Sequence, residues 1–207
     1  MKTPGLLLIL LPCVLPFLCG SCAGVYKELQ PNRLNYPSPK LEEGISFGYK
    51  YDVLKLRLNK KYAKKELKYN VRLVAVKLEN NSDRSYTFGQ DLLVTIGNND
   101  VGLMDPEMIF GAIKQKPPLH LLYLLLTPAR LTVSSGNTTN NFPLGLLLGP
   151  GLALGNMLTA SASNKKLLQE LKEQNLLGRS IGPGETVYGL IGFRDIGYES
   201  LSLQRSE

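Results

Sequence analysis

His120 is the only histidine in the chain, and the cysteines are Cys13, Cys19 and Cys22. A metal centre built from several histidines is therefore excluded, and hydrolysis by a Ser-His-acid triad would have to pass through His120. That residue stands in Pro117-Pro118-Leu119-His120-Leu121-Leu122, an apolar run with no acid beside it. Packing at the core or its rim is the expectation. Asn98-Asn99-Asp100 and Asp105-Pro106-Glu107 offer oxygens to a cation, but not with the spacing and glycine of an EF-hand loop, and they read as turns. Gly149-Pro150-Gly151 followed by Gly155 does not match the dinucleotide-binding glycine pattern. Asn80 and Asn137 head glycosylation sequons, which would matter only in a eukaryotic host. No catalytic residue, cofactor ligand or metal ligand is assigned, and no small-molecule substrate is identified. A hydrolase with an unfamiliar site, including His120, stays as an alternative.

The elements that must position any site come from a 22.8 kDa chain with 43% hydrophobic and 20% charged residues. That composition suits one folded domain, and argues against wholesale disorder and against a polytopic membrane protein. The net charge is +7. Between Lys55 and Lys77 every charged residue except Glu66 is Lys or Arg, with Tyr62 and Tyr69 interleaved. Nucleic acid is not the expected partner of an exported chain. Lys60, Lys61, Lys64, Lys65 and Lys68 are candidates for contact with anionic lipid headgroups or polysaccharide. The blander reading, and the preferred one, is a solvated hairpin whose lysines discourage edge pairing.

Lys2 precedes an uncharged apolar run from Leu6 to Leu18, and the small residues Gly20 and Ser21 follow. A basic start, a short apolar core and a small-residue end make a secretory signal, expected over residues 1–21. The core is shorter than the roughly 20 residues of a spanning helix, and Pro12 and Pro16 interrupt it. Leu18-Cys19-Gly20-Ser21-Cys22 resembles the lipobox of bacterial lipoproteins, with Cys19 where that family prefers Leu. The resemblance implies cleavage before Cys22, acylation of Cys22 and attachment to the bacterial envelope, the outer membrane being the expected site. Plain secretion is the alternative. No cysteine follows Cys22, so the mature chain can hold no internal disulfide.

Residues 22–47 read as a tether, with Pro31, Pro37 and Pro39 among Asn32, Asn35 and Gly44. From residue 48 the pattern turns to strands. Val53, Leu54, Leu56 and Leu58 are interrupted by Lys55 and Arg57, Val71–Leu78 is rich in β-branched residues, and Tyr86–Ile96 suggests two more strands. Turns are expected at Asn80-Asn81-Ser82-Asp83, at Gly89, at Gly97–Asp100 and at Gly182-Pro183-Gly184-Glu185. Strands over Thr186–Phe193 and around Leu201 and Leu203 end the chain.

The Val71–Leu78 strand closing in Asn80-Asn81-Ser82, with Pro183-Gly184-Glu185-Thr186 and Gly189-Leu190-Ile191-Gly192-Phe193, resembles immunoglobulin-like sandwich domains of bacterial envelope lipoproteins. The resemblance covers residues 50–110 and 181–205 and implies a non-catalytic structural or binding role. The expected fold is mainly β: an immunoglobulin-like antiparallel sandwich over residues 48–207. It is interrupted at 117–178 by an apolar Gly/Leu-rich insertion and one long helix, Met157–Leu177, before the last two strands. Leu158, Leu167, Leu168 and Leu171 form the apolar side of that helix, Glu170 belongs to its wet side, and Gly178 is its expected left-handed cap. Within the insertion the apolar hairpin 119–155 has three readings: core, a protein-partner or homo-oligomer surface, or membrane contact through Leu144, Leu146, Leu147, Leu148, Leu152 and Leu154. Core is the plainest. Pro143, Pro150 and the four glycines between 145 and 155 oppose a regular helix there.

Overall fold

The computed structural model describes residues 22–37, 40–42, 44–97, 99–135, 138–195 and 197–206. The expected signal over 1–21, and Asn98 and Asn137, lie outside them. The chain divides into two units: residues 26–115 with 162–206, and residues 22–25 with 116–161.

The larger unit is organised by one strand. β3 (Val71–Asn80) lies between β2 (Ile45–Lys50) and β10 (Thr186–Arg194), with β1 (Lys40–Glu42) beyond β2, in an antiparallel sheet. Residues Val71 to Val76 are all buried. Such a run does not alternate because both faces of the strand are covered. Val74, Val76 and Leu78, with Ile191 and Phe193 of β10, join a cluster that includes Leu92 and Val94 of β5 (Leu92–Ile96) and Leu201 and Leu203 of β11 (Leu201–Arg205). β5 pairs with β11 and with the short β6 (Asn99–Asp100). Tyr86–Thr87 (β4) pairs with Ser180–Ile181 (β9). Val71, Leu73, Ala75 and Leu190 point the other way, into a cluster roofed by helices.

Those helices are the main departure from the sequence reading. The described residues are about 31% strand and 36% helix, so the fold is mixed α and β with several antiparallel sheets, rather than plainly β. Val53–Leu56 is α1, not a strand: Val53 and Leu54 are neighbours and both fully buried, while Leu56 and Leu58 are exposed, which no two-residue period allows. The lysine-rich stretch is α2 (Lys60–Lys68), not a hairpin. Tyr62 and Glu66, four apart, form its buried side. Asp105-Pro106-Glu107 opens α3 (Pro106–Ile113), with Asp at the cap and Pro at the first position. The expected tether also folds. Tyr26 and Leu29 are buried in the helix-covered cluster, and Ile45 and Phe47 belong to the sheet. Apolar side chains in a proline-rich stretch still find a core, and here buried acceptors meet its backbone donors.

The long helix, α4, runs Leu144–Glu173 rather than Met157–Leu177. It passes through Pro150, which removes one backbone donor without ending the helix. Gly178 is left-handed as expected (φ 78°), but it serves the loop beyond, donating to Phe88 O at 2.8 Å. Glu170 is buried rather than wet: it accepts from Tyr26 Oη (2.6 Å), Leu29 N (2.8 Å) and Gln30 N (3.0 Å). Two glycines of β10 make room for close neighbours. A side chain at Gly189 would run into Gln174 O at 2.6 Å, and one at Gly192 into Ile109 Cγ1 at 2.6 Å.

Glu66 is the other buried acid among the described residues, 3% exposed, and accepts from Leu73 N at 2.8 Å. Burial pushes its carboxyl from 4.5 up to about 7, against the pull of the Leu73 amide and Arg72, with Asp52 adding to the rise. The folded chain therefore holds this proton more tightly than the unfolded chain. The contribution of the neutral form is complete below about pH 4.5 and is lost as pH rises through about 7. Glu66→Gln keeps an acceptor for Leu73 and removes the charge. The variant is expected to match the parent at pH 4 and to exceed it at pH 8 by up to about 3 kcal/mol in urea unfolding.

Candidate functional site

The smaller unit carries the most unusual surface. It contains a 3₁₀ segment (Pro117–Leu126), the hairpin β7 (Leu131–Ser135) and β8 (Thr138–Phe142), and the first part of α4. The apolar run 119–133 is thus one 3₁₀ turn series and a strand, and Leu144–Ala153 is helix, not the second arm of an apolar hairpin. Exposed side chains include Leu119, Leu122, Leu125, Phe142, Leu144, Leu146, Leu148, Leu154 and Leu158; Leu125 is 75% and Leu158 67% exposed. Leu152 is half-buried, and the side chain of Leu147 lies outside the described residues.

The reason lies in which residues of α4 face inward. Gly145, Gly149, Ala153 and Ala160 are buried, and Asn156 is half-buried. These positions recur every three or four residues, so they make one face of the helix. That face is built from small residues, and Leu144, Leu146, Leu148, Leu154 and Leu158 are on the outside. A water-soluble helix has the opposite arrangement. The small face lets backbone meet backbone. A side chain at Gly145 would strike Leu126 O, with Thr127 O at 2.6 Å and Ala129 N at 2.7 Å. At Gly149 it would meet Thr127 Oγ1 at 2.6 Å. Gly145 N also donates to Ala129 O at 2.8 Å.

The side-chain amide of Asn156 on this part of α4 is bonded at both ends. Asn156 Nδ2 donates to Leu152 O at 2.9 Å, and Asn156 Oδ1 accepts from Ala23 N at 2.6 Å. Cys22 is exposed and next in the chain to that amide. The residue expected to be acylated is therefore one position from a bond to the leucine-bearing helix. No charge interrupts α4 from Leu144 to Asn164, and the helix is long and apolar enough, by length and composition, to cross a membrane, with 24% of its apolar window buried.

The other expected sites are placed as follows. Lys60, Lys64 and Lys68 are exposed on α2, Lys61 and Lys65 are half-buried, and Lys65 Nζ donates to Lys114 O. His120 is half-buried and stacks on Tyr123, ring centroids 6.2 Å apart and planes 5° from parallel. Among the described residues no three His, Cys, Asp or Glu side chains converge. The sequence reading missed a shallow recess of about 350 Å³ in the larger unit, lined by Tyr69, Met104, Met108, Gly111, Ala112 and Arg194. Its lining is scattered over four segments, and nothing in the local sequence marks it. No family model, curated protein or solved structure matches the chain.

The glycines separate two kinds of position on one helix. Gly145→Ala drives a methyl into carbonyl oxygens that cannot yield cheaply, and is expected to cost about 2 kcal/mol or more. A side chain at Gly155 meets nothing within 4 Å, so Gly155→Ala is expected to be neutral or to gain up to about 1 kcal/mol of helix propensity. Limited proteolysis within residues 116–161 of the full chain reads both: faster cleavage for the first variant, unchanged or slower for the second.

Proposed function

We propose that this chain is a lipid-anchored cell-envelope protein that lies against a bilayer through the leucine-bearing surface of residues 116–161, with a structural or binding role and no catalysis of its own. The observation that carries the reading is the reversed helix. Where the surroundings are water, leucines turned outward and glycines turned inward lose hydrophobic burial. Where the surroundings are lipid tails, there is no such loss, and small residues become the preferred packing face.

Cys22 supports the same reading. One acyl chain gives only marginal membrane binding, and stable anchoring takes a second contribution. A palmitate-type chain on Cys22, beside an apolar helix, supplies both from one place. The hairpin limits how deep the unit sits. Thr138–Phe142 is exposed throughout and among the described strands pairs with β7, so its outer edge suits water or headgroups. The apolar face of α4 and the 3₁₀ segment enter the acyl layer, and the polar stretch 138–141 of β8 stays in the headgroups. We further read the sheets sharing Val74, Val94, Phe193 and Leu203 as an immunoglobulin-like core, to which α1, α2, α3 and the end of α4 are added on the far face of β3 and β10. That core would be the part presented to a partner in the envelope.

Two measurements test the proposal. Metabolic labelling with a tagged palmitate analogue is expected to mark the wild type and not Cys22→Ala; equal label removes the anchor. Flotation of the unacylated chain with zwitterionic vesicles is expected to weaken by about 4 kcal/mol or more for Leu154→Asp with Leu158→Asp, since a charge buried in the apolar layer costs about 2 kcal/mol or more per residue. Both leucines are more than half exposed, so the larger unit's fold, read by circular dichroism, should be unchanged. Undiminished flotation would sink the membrane surface and leave an oligomer interface as the reading.

A further inference from the structure

The larger unit has a second surface that the apolar helix does not explain. From Val53 to Asn70 the charged residues are Lys55, Arg57, Lys60, Lys61, Lys64, Lys65, Glu66 and Lys68, and Glu66, the one acid, is buried beneath α2. Within residues 53–70 the exposed charges are therefore all cations. Lys60, Lys64 and Lys68 repeat every four residues, so they stand in one stripe and repel one another along the helix. Lysines alone would be an ordinary solvated face. Here they are interleaved with exposed large apolar side chains: Leu56 at 50%, Leu58 at 59%, Leu67 at 56% and Tyr69 at 37%. Lys68 Nζ lies 5.4 Å from the centre of the Tyr69 ring.

We propose that this face of α1 and α2 docks on anionic lipid headgroups, a second bilayer contact that rests on the reading of the chain as membrane-apposed. The lysines meet phosphate or carboxylate charge at the headgroup level, while Leu56, Leu58, Leu67 and Tyr69 enter the upper acyl layer. The mixture decides between anionic partners. A sulfated or uronic polysaccharide would satisfy the lysines and leave the leucines in water, whereas a lipid surface takes both. Tyr69, with an apolar ring and a hydroxyl, suits the boundary between the two.

The test uses the full chain carrying Cys22→Ser, so that no acyl chain contributes. Its partition into vesicles with phosphatidylglycerol is compared with that into pure phosphatidylcholine. The apolar surface of residues 116–161 acts on both vesicles, so the ratio isolates the lysine face. Lys60→Gln, Lys64→Gln and Lys68→Gln together are expected to cut the ratio by about 100-fold at low salt, at about fivefold per lysine. A variant losing three other cations, at Arg84, Arg179 and Arg205, controls for net charge and is expected to lose far less. Equal losses in the two variants overturn the proposal, as does α2-dependent binding that is stronger to soluble dextran sulfate than to anionic vesicles. Loss of binding to phosphatidylcholine with the anionic preference intact would instead overturn the apolar surface and leave the lysine face standing.

Discussion

The polar side of α4 is the constraint on which the larger unit depends. The chain passes between its two units at 25/26, 115/116 and 161/162, and the residues just inside each crossing meet on that one stretch of helix. Ser163 Oγ accepts from Tyr26 N at 3.2 Å. Asn164 clamps Gln115, with Oδ1 accepting from Gln115 N and Nδ2 donating to Gln115 O, both at 2.9 Å. About two turns on, Glu170 gathers the Tyr26 hydroxyl and the amides of Leu29 and Gln30. A buried carboxylate is tolerable only when its oxygens are filled with donors, and this one is. Burial, and then the charge of Glu170, hold the Tyr26 phenol protonated well above its ordinary range, so the donor stays a donor.

A buried polar network of this kind fixes geometry more than it adds stability. What it fixes is useful. Tyr62 donates toward Asn164 at 3.2 Å and accepts from Gln115 Nε2 at 3.0 Å, so α2 is registered against the same turn of α4. The side of α2 away from that contact is then compelled outward, with its lysines and Leu67. The segment after α4 is fixed in turn: Leu190 N donates to Gln174 O at 2.6 Å, which only glycine at 189 permits. The network and the glycines of β10 together place one helix on one face of the central sheet.

Strands were legible where an element shows water one face and turns have committed chemistry. Asn80 Oδ1 accepts from Ser82 N at 3.0 Å, Glu185 N donates to Gly182 O at 3.1 Å, and Gly89 is left-handed, all local matters that residue type decides. The helices were not legible where burial is decided from a distance. Val53–Leu58 has a period of two in letters, yet only its first two residues are inside. In Lys60–Lys68 the inward residues are a tyrosine and a glutamate, so an apolar stripe is missing from the sequence. Tyr26 and Leu29 look like parts of a spacer because their partners lie about 140 residues away. As for the candidate site, the leucines of 144–154 were legible as unusual, but which face they occupy depends on the small residues behind them.

That last point bears on why Pro150 and the glycines do not abolish helix here. In water a glycine pair and a proline within ten residues would cost several kcal/mol, which an isolated amphipathic helix could not recover. Gly145 and Gly149 offset part of the cost by direct packing: their missing side chains bring the 123–129 backbone against the helix, and Gly145 N finds Ala129 O. Gly151 and Gly155 have no such neighbour, and Leu148 and Leu154 beside them are exposed. On the proposed reading the remainder is recovered from lipid, because an unpaired backbone group is far more costly in hydrocarbon than in water and helix is the conformation that pairs them within the segment. The same argument accounts for Asn156. A polar side chain on such a helix is permitted when its amide is filled, and it is filled by Leu152 and by the amide next to Cys22. On the proposed reading the residue after the anchor is hydrogen-bonded to the helix, and a chain held at Cys22 would deliver the leucine face to the bilayer rather than leave it to find one.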